Sequence, residues 1–365
     1  MKRKGSKILD LYIIKNFLGT FFFALSLLML IVVVFDLSEK LDEFIEKHAP
    51  LKAIIFDYYF NFIPFFALLF SPLFTFITVI FFTSKMAYNT EIIAMLSSGL
   101  SFRRFLLPYF ISALAIASFT FFLGNFVIPN ANKTRLDFEN TYVRNSKGSF
   151  SKRDIHMQVR PNEYVYMQSY SNSSNIGYKF SIEKFDDSGM LISKLIADYV
   201  KWDTVTNKWR AHNYYIRTNE NGKETILEGR DIDTTLNIFP EDFSRGENFM
   251  LTMNMKELKQ FIDQQQLKGA ENITPYLIER YRRISTPFST FILTLIGVSL
   301  SSRKIRGGIG AYIGLGIALS FTFILFQQFS AQFAIGGTVH PLLAVWIPNI
   351  IYSFIAGFLY MKAPK

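Results

Sequence analysis

Long apolar segments occupy both ends of the chain, and the middle has ordinary polar composition. A run of about 20 apolar residues is long enough to cross a bilayer as a helix. Residues 1–128 and 284–365 each hold three such runs, so the pattern predicts six transmembrane helices arranged three and three. The predicted spans are Phe17–Phe35, Ile54–Phe82, Phe105–Ile128, Ile284–Leu300, Ile309–Phe329 and Leu342–Tyr360.

Between residues 129 and 254 the pattern changes to short runs in which apolar and polar residues alternate. This period of two is typical of strands with one buried face, and turn signals such as Asp186-Asp-Ser-Gly separate the runs. We therefore predict an α+β membrane protein with an inserted antiparallel β-domain, a sandwich or jelly-roll-like fold, at 129–254. A helical connector follows at 255–283, where Asn254 and Glu257 match a capping box.

A short segment between the second and third spans, 89–98, is predicted to form a helix with its own start and stop signals. Asn89 or Thr90 can accept hydrogen bonds from the first free amides. Glu91 suits the positive end of the helix dipole, and Gly99 favours the left-handed conformation that ends a helix. The apolar face consists of Ile92, Met95 and Leu96. Such a helix can dock into a groove on a partner, or it can rest on lipid headgroups as an interfacial linker.

The formal net charge of +10 lies outside the middle region, because 129–275 holds 20 Lys and Arg and 20 Asp and Glu. The excess flanks the apolar segments, which argues against a nucleic-acid partner. Short loops rich in Lys and Arg face the cytoplasm, so both termini are predicted to be cytoplasmic and the β-domain to lie on the far side. The orienting residues are Lys2, Arg3, Lys4, Lys7, Lys15, Lys85, Arg103, Arg104, Arg303, Lys304, Arg306, Lys362 and Lys365.

The residues offer no chemistry of their own for driving a reaction or a transport cycle. There is no Cys, the four His residues lack metal-ligand spacing, and no phosphate-binding Gly-rich loop ending in Gly-Lys-Ser or Gly-Lys-Thr occurs. Apart from Asp57, no charged residue lies inside the predicted spans. We assign no catalytic, cofactor or metal residue, and we expect a partner that docks on 89–98 to supply the energy.

The chain resembles the lipopolysaccharide-export permeases LptF and LptG over nearly its whole length. The segment from Glu91 to Ser101 between spans two and three matches, and its spacing of Glu91 and Gly99 is the most specific part of this resemblance. The other matching segments are Leu11-Tyr-Ile-Ile-Lys, Lys208-Trp-Arg, Arg283-Ile-Ser-Thr-Pro-Phe-Ser, Arg306-Gly-Gly and Trp346-Ile-Pro-Asn.

The resemblance implies a permease subunit of an ATP-driven exporter in the inner membrane of Gram-negative bacteria. An F-type subunit pairs with a G-type subunit, and a dimeric cytoplasmic ATPase binds their coupling helices. Here the coupling residues would be Glu91, Ile92, Met95, Leu96 and Gly99. Lipopolysaccharide would enter an outward-facing cavity, pass lateral gates at 12–35 and 309–329, and move to periplasmic jelly-roll bridge proteins.

The resemblance also implies contacts between basic residues and lipid phosphates near the outer end of span one. Lys40 keeps one such position, whereas Val33 and Glu39 stand where other members can have Lys. Arg280, Arg282 and Arg283 can supply phosphate contacts instead, because Arg binds phosphate through two parallel hydrogen bonds. The alternative for these arginines is ion pairing with Glu279 and the acidic first loop.

Two other functions remain open from the sequence alone. The chain can be an envelope scaffold that anchors the β-domain without transporting anything. It can also be a membrane-embedded enzyme that acts on lipid, although the sequence lacks a cluster of nucleophile and base near one interface.

Overall fold

The computed structural model describes residues 2–143, 152–171, 174–204, 206–220, 222–234, 236, 238–240, 247–267, 273–302 and 308–363. The chain divides into a helical unit, Met1–Val143 with Thr274–Lys365, and a β-unit, Arg144–Ile273. In the described part of the helical unit, six helices are long and apolar enough to span a membrane. The β-unit carries a six-stranded antiparallel sheet. The predicted fold class, an α+β membrane protein with a β insertion between two sets of three spans, is confirmed.

Eight helices are named in chain order, of which α5 belongs to the β-unit. The helix bounds are α1 Lys2–Glu46, α2 Leu51–Tyr88, α3 Glu91–Ser97, α4 Phe102–Tyr142, α5 Met255–Leu267, α6 Thr274–Ser301, α7 Gly308–Ile335 and α8 Pro341–Lys362. Two π-helical turns interrupt the α-helical pattern, Ile54–Tyr59 in α2 and Leu123–Val127 in α4.

Two boundaries differ from those predicted. The β-domain was expected to start at residue 129, but α4 continues through Pro129 to Tyr142, and the first strand begins at Lys152. Pro129 lies in the first turn after the π-helical turn, and the helix continues through it. The predicted connector 255–283 is also divided, because α6 begins at Thr274 and runs unbroken into the fourth span. The first turns of α6 are polar, so the hydropathy pattern did not assign them to the fourth span.

The helical unit is built around α6, and α1 and α7 are its least covered helices. In the most apolar window of α6, 61% of the residues are buried, compared with 22% in α1 and in α7. Gly297 of α6 lies so close to α2 that an added Cβ atom would be 2.7 Å from Val79 Cγ1. One ridge of α1 packs inward with a period of four, formed by Ile13, Phe17, Phe21, Leu25 and Met29.

The strands of the β-unit pair in sequence order as an antiparallel meander. Their bounds are β1 Lys152–Arg160, β2 Glu163–Ser171, β3 Ile176–Phe185, β4 Leu191–Asp203, β5 Lys208–Glu220 and β6 Lys223–Thr234. A jelly roll would need Greek-key crossings between two sheets. The antiparallel pairing is therefore as predicted, whereas the order of the described strands is simpler than that of a jelly roll.

One residue from each strand forms a row across the sheet. On either side of this row, the alternation of buried and exposed positions along a strand is displaced by one residue. On β4, Leu195 and Ala197 are buried before the row and Val200 is buried after it. Three residues of the row have positive φ values of 50° to 52°, which is uncommon for residues other than glycine. The row consists of Asp154, Gln168, Lys179, Asp198, Asn213 and Arg230. Both halves of the sheet contribute to one apolar cluster, so one sheet supplies a shared core.

The ends of the β-unit are fixed by two specific arrangements. The fully buried Trp209 donates from Nε1 to the carbonyl oxygen of Ile238 at 2.8 Å. Asn254 Oδ1 accepts from the amides of Lys256 and Glu257 at 3.0 and 2.9 Å, and Glu257 accepts from the Asn254 amide at 2.8 Å. The predicted capping box of α5 is therefore confirmed.

Candidate functional site

The short helix predicted at 89–98 forms as α3, Glu91–Ser97, and it ends as predicted. Gly99 has a φ of +86°, in the left-handed region. The Gly99 amide donates to the Leu96 carbonyl at 3.0 Å, and the Leu100 amide donates to the Met95 carbonyl at 3.3 Å. This pair of bonds is a Schellman motif, which satisfies carbonyl groups that the end of a helix leaves free.

The start of α3 differs from the prediction, because neither Asn89 nor Thr90 caps it with a side chain. Thr90 is left-handed at φ 64°, and its hydroxyl donates to the Asn89 carbonyl at 2.6 Å. The Asn89 side-chain amide donates to Glu91 Oε1 at 3.1 Å. Only these two residues join α2 to α3, and the tight turn directs their side chains away from the free amides.

The apolar side of α3 faces the interior of the helical unit. Ile92 is fully buried in the cluster that contains Ile13, Phe17 and Phe105, and Met95 and Leu96 pack against that cluster. The prediction that this face meets a partner is therefore not supported by the packing. The surface open to a partner lies on the other side of α3, at Ile93, Ala94 and Ser97, where Ile93 is 53% exposed.

Polar contacts around α3 join four helices at one end of the unit, here called the α3 end. The Tyr12 hydroxyl of α1 donates to Glu91 Oε2 at 3.4 Å. Arg104 of α4 forms an ion pair with Asp10 of α1. Arg103 Nε donates to the hydroxyl of Tyr360 on α8 at 3.2 Å. The short helix and the first span are thus held in one polar network.

Lys40, a predicted phosphate contact, lies at the opposite end of the unit and already has an anionic partner. Its Nζ atom lies 2.8 Å from Asp36 Oδ1, one turn earlier on α1. The ammonium group also donates to the Tyr58 hydroxyl and lies 4.8 Å from the centre of the Tyr58 ring. Tyr58 in turn donates to Asp36 Oδ1 at 3.1 Å. The π-helical turn of α2 brings Tyr58 to this pair.

A second cation at this end has a similar arrangement on α4. Arg135 Nε lies 3.5 Å from Glu139 Oε1, again one turn away, and the guanidinium lies 5.4 Å from the centre of the Phe65 ring. Phe138, next to Glu139, packs against Tyr58 with ring centres 5.3 Å apart. Both ion pairs therefore border one aromatic cluster.

The three predicted arginines of α6 do not have equal access to a ligand. Arg283 is buried, and its Nε atom lies 2.9 Å from Glu279 Oε1, so the predicted alternative of pairing with Glu279 is confirmed for this residue. Arg280 and Arg282 are partly exposed.

Sequence reasoning missed Asp36, Tyr58 and the Arg135–Glu139 pair. The spacing of the two ion pairs could have predicted them, because oppositely charged residues four positions apart lie next to each other on a helix. Arg135 was assigned to the β-domain, so its position on a helix was not considered. Tyr58 carries no such signal, since it depends on the contact between α1 and α2.

Within the described sheet of the β-unit, β6 is an edge strand. In the part of the sheet that the structure describes, β6 pairs with β5 alone. Ile226 and Leu227 on this strand are 64% and 59% exposed. An exposed edge with apolar side chains can accept a strand from another chain.

The described residues contain no group of three or more His, Asp or Glu side chains that could hold a metal ion. The two histidines of the β-unit lie on strands, where His156 packs on the Tyr166 ring and His212 pairs with Asp231. His340 accepts the Leu342 amide at the start of α8, so its role is local.

Comparison with known proteins relates the chain to one family over almost its whole length. The family described as "Lipopolysaccharide export system permease LptF/LptG" matches residues 11–362. Two curated proteins named "Lipopolysaccharide export system permease protein LptG", from Escherichia coli strain K12 and Escherichia coli O6:H1 strain CFT073, are each 19% identical over 286 residues. These residues cover 76% of this chain and 77% of each relative. The family match includes α3, the β-unit and all six candidate spans, and the chain therefore belongs to the LptF/LptG family of lipopolysaccharide export system permeases.

Proposed function

We propose that this chain is the permease subunit of an ATP-driven exporter that takes lipopolysaccharide out of the inner membrane. The observation that carries the proposal is the family match over residues 11–362, which includes both sets of spans and the inserted sheet. The chain would supply the pathway, and a separate ATPase would supply the energy.

The proposed orientation places the α3 end of the helical unit in the cytoplasm and the β-unit in the periplasm. Support comes from the basic residues of the short loops, including Lys85, Arg103, Arg104 and Lys362 at or near the α3 end. Arg303, Lys304, Arg306 and Lys365 contribute to the same argument but lie outside the described residues. A protease or a membrane-impermeant label applied from the periplasm should reach the β-unit and leave α3 intact.

We propose that a dimeric ATPase docks on the exposed side of α3. The inward packing of Ile92, Met95 and Leu96 makes α3 a fixed projection of the helical unit. Ile93, Ala94 and Ser97 would then form the contact with the ATPase, while Glu91 links that contact to α1 through Tyr12. Gly99 ends α3 so that the chain can enter α4 only a few residues later.

The pairing of an F-type with a G-type subunit is supported by the low coverage of α1 and α7. Only 22% of the residues in their apolar windows are buried in this chain, which is the lowest share among the six candidate spans. We propose that these helices line the lateral openings between the two subunits, about 12–35 and 309–329. A second permease or lipid would cover the exposed side chains.

Transfer to periplasmic jelly-roll bridge proteins is supported by the position of β6 at the edge of the described sheet. A bridge protein with an unpaired edge strand could continue the sheet by main-chain hydrogen bonds. Lys40, Arg280 and Arg282 remain proposed contacts for lipid phosphates. Arg283 is a weaker candidate, since it is buried against Glu279.

Reconstitution tests the proposed function directly. The tagged chain should co-purify in mild detergent with an ATPase, a second permease and bound lipopolysaccharide. In proteoliposomes, ATP should then cause loss of lipopolysaccharide to an added bridge protein, and a non-hydrolysable ATP analogue should not. Co-purification without ATP-dependent release would favour the envelope scaffold instead. Turnover of lipid by the chain alone would favour an enzyme.

A further inference from the structure

Lys40 and Asp36 form a half-buried ion pair at the end of the unit opposite α3, with side chains 21% and 13% exposed. We propose that the Asp36 carboxylate competes with the phosphate of an anionic lipid headgroup for Lys40. When the lipid leaves, Asp36 takes the place of the phosphate beside the Lys40 ammonium group. Tyr58 would position the two groups for this exchange. The inference rests on the proposed function, because it concerns how the same site releases its cargo.

The geometry leaves Lys40 able to bind one more acceptor. An ammonium group has three donors, and in the described residues two are used, by Asp36 at 2.8 Å and by the Tyr58 hydroxyl. The rings of Tyr58 and Phe62 lie 4.8 and 5.9 Å from Nζ and limit its movement. The Lys40 side chain is 21% exposed, so a headgroup can reach the remaining donor.

Asp36 is only partly satisfied by this arrangement. Its Oδ1 atom accepts from both Lys40 and Tyr58, whereas Oδ2 is buried and makes no well-aligned hydrogen bond among the described residues, although the Tyr59 hydroxyl lies close enough to interact with this carboxylate. A buried acceptor that lacks a donor is unfavourable. The Asp10–Arg104 pair at the α3 end differs, since both carboxylate oxygens accept there. Part of this difference comes from the cations, because a guanidinium presents two parallel donors to a carboxylate and an ammonium group does not.

The energetics favour exchange of one anion for another. A cation that is partly shielded from water is destabilised when its partner is removed. If Lys40 had no internal carboxylate, departure of a lipid phosphate would leave such a cation, and release would be slow. Because Asp36 can take the place of the phosphate, the charge stays compensated throughout. Asp36 should therefore weaken lipid binding and speed release.

The other pairs show which carboxylates can act this way. Glu139 lies one turn from Arg135 at 3.5 Å, a looser contact. Glu279 lies one turn from Arg283, whose side chain is only 3% exposed. A headgroup cannot readily reach Arg283, so Glu279 is assigned a structural role. The release role is assigned to Asp36 alone.

The test measures binding of lipid A to the full-length chain in phosphatidylcholine nanodiscs. Asp36→Asn should tighten the equilibrium binding of lipid A about tenfold, mainly through slower dissociation. Asp42→Asn is the matched control, since it makes the same change at an exposed residue of α1 that is not assigned to the phosphate site, and it should leave binding unchanged. Lys40→Met should weaken binding, and the double variant Asp36→Asn with Lys40→Met should match Lys40→Met alone.

The outcomes separate this inference from the proposed function. If Lys40→Met weakens binding but Asp36→Asn leaves it unchanged or weaker, the inference is overturned and the cargo site stands. If the wild-type chain does not bind lipid A, both fail. Tyr58→Phe keeps the ring and removes the hydroxyl, so it gives a second test with a smaller increase in affinity, even if Asp36→Asn does not fold. Inorganic phosphate should not displace lipid A; if it does, the ligand is free phosphate and the inference about lipid release is overturned.

Discussion

Arg104 and Asp10 form a two-point ion pair that joins α4 to α1 beside the short helix α3. Arg104 Nη1 lies 2.8 Å from Asp10 Oδ1, and Nη2 lies 2.5 Å from Oδ2. This parallel arrangement is the strongest form of contact between arginine and a carboxylate. Since α1 is poorly covered along much of its length, the pair fixes the end of α1 that lies nearest to α3.

Reversing the charges of this pair should separate its electrostatic role from its packing role. Arg104→Asp alone places two carboxylates together and should lower stability by about 1–3 kcal/mol, between the values for exposed and for buried pairs, because the side chains are 30% and 20% exposed. The double variant Asp10→Arg with Arg104→Asp should recover part of that loss. Thermal unfolding in nanodiscs measures both. Additive losses in the double variant would mean that the two residues do not interact.

Ile92 and Ile93 are neighbours on α3 with opposite environments, which gives a matched pair of variants. Ile93→Glu should abolish co-purification of the ATPase and leave the thermal stability unchanged, because Ile93 is 53% exposed. Ile92→Ala should lower stability by about 2–5 kcal/mol, as expected for a fully buried aliphatic side chain. ATPase that still binds Ile93→Glu would show that the exposed side of α3 is not the docking surface.

Gly99 ends α3 in a conformation that side chains disfavour. Gly99→Ala should cost about 1–2 kcal/mol, because its φ is +86° although an added Cβ atom would meet no atom within 4 Å. Gly99→Asn should cost less, since Asn tolerates this region better. Gly19→Ala, in open space on α1, serves as the control and should cause no loss. Equal effects of Ala and Asn at position 99 would argue against backbone strain as the cause.

The sequence was sufficient for the parts of the fold that depend on local pattern. Apolar length predicted the six candidate spans, Gly99 predicted the end of α3, and Asn254 with Glu257 predicted the capping box of α5. Each of these is decided by residues within one element. The continuation of α4 to Tyr142 was missed because hydropathy falls there while helix packing continues.

The candidate site was less predictable because it depends on contacts between elements. The amphipathic pattern of α3 correctly identified its apolar face, but a pattern cannot say whether that face meets this chain or a partner. Likewise, Lys40 could be named from its place near the end of span one. Its partners Asp36 and Tyr58 can be identified only from the structure, in which the π-helical turn of α2 packs against α1.

Asp186 should make the β3–β4 turn sensitive to acid. Hydrogen bonds from the Ser188 hydroxyl and from the amides of Met190 and Ser188 lower the pKa of Asp186 from its usual value of 3.8. A carboxylate whose pKa is lower in the folded state stabilises that state above its unfolded pKa, and this contribution disappears as the pH falls through the folded pKa. Protection of the Ser188 and Met190 amides from hydrogen exchange, corrected for intrinsic rates, should therefore fall in acid. Asp186→Asn should remove this pH dependence, and Asp187→Asn should retain it.

Gly297 permits the close approach of α6 to α2, and this contact gives a prediction about the centre of the helical unit. Gly297→Ala would place its Cβ atom 2.7 Å from Val79 Cγ1 and 3.1 Å from Val79 Cβ, so the helices must separate slightly. Overpacking of this kind typically costs about 1–3 kcal/mol. Val79→Ala in the same chain should restore most of the lost stability, because it removes the atoms that clash. Gly314→Ala on α7, where nothing lies within 4 Å, should be neutral in the same thermal unfolding assay. A Gly297→Ala chain as stable as wild type would show that α2 and α6 are not in close contact, and the central position assigned to α6 would then be wrong.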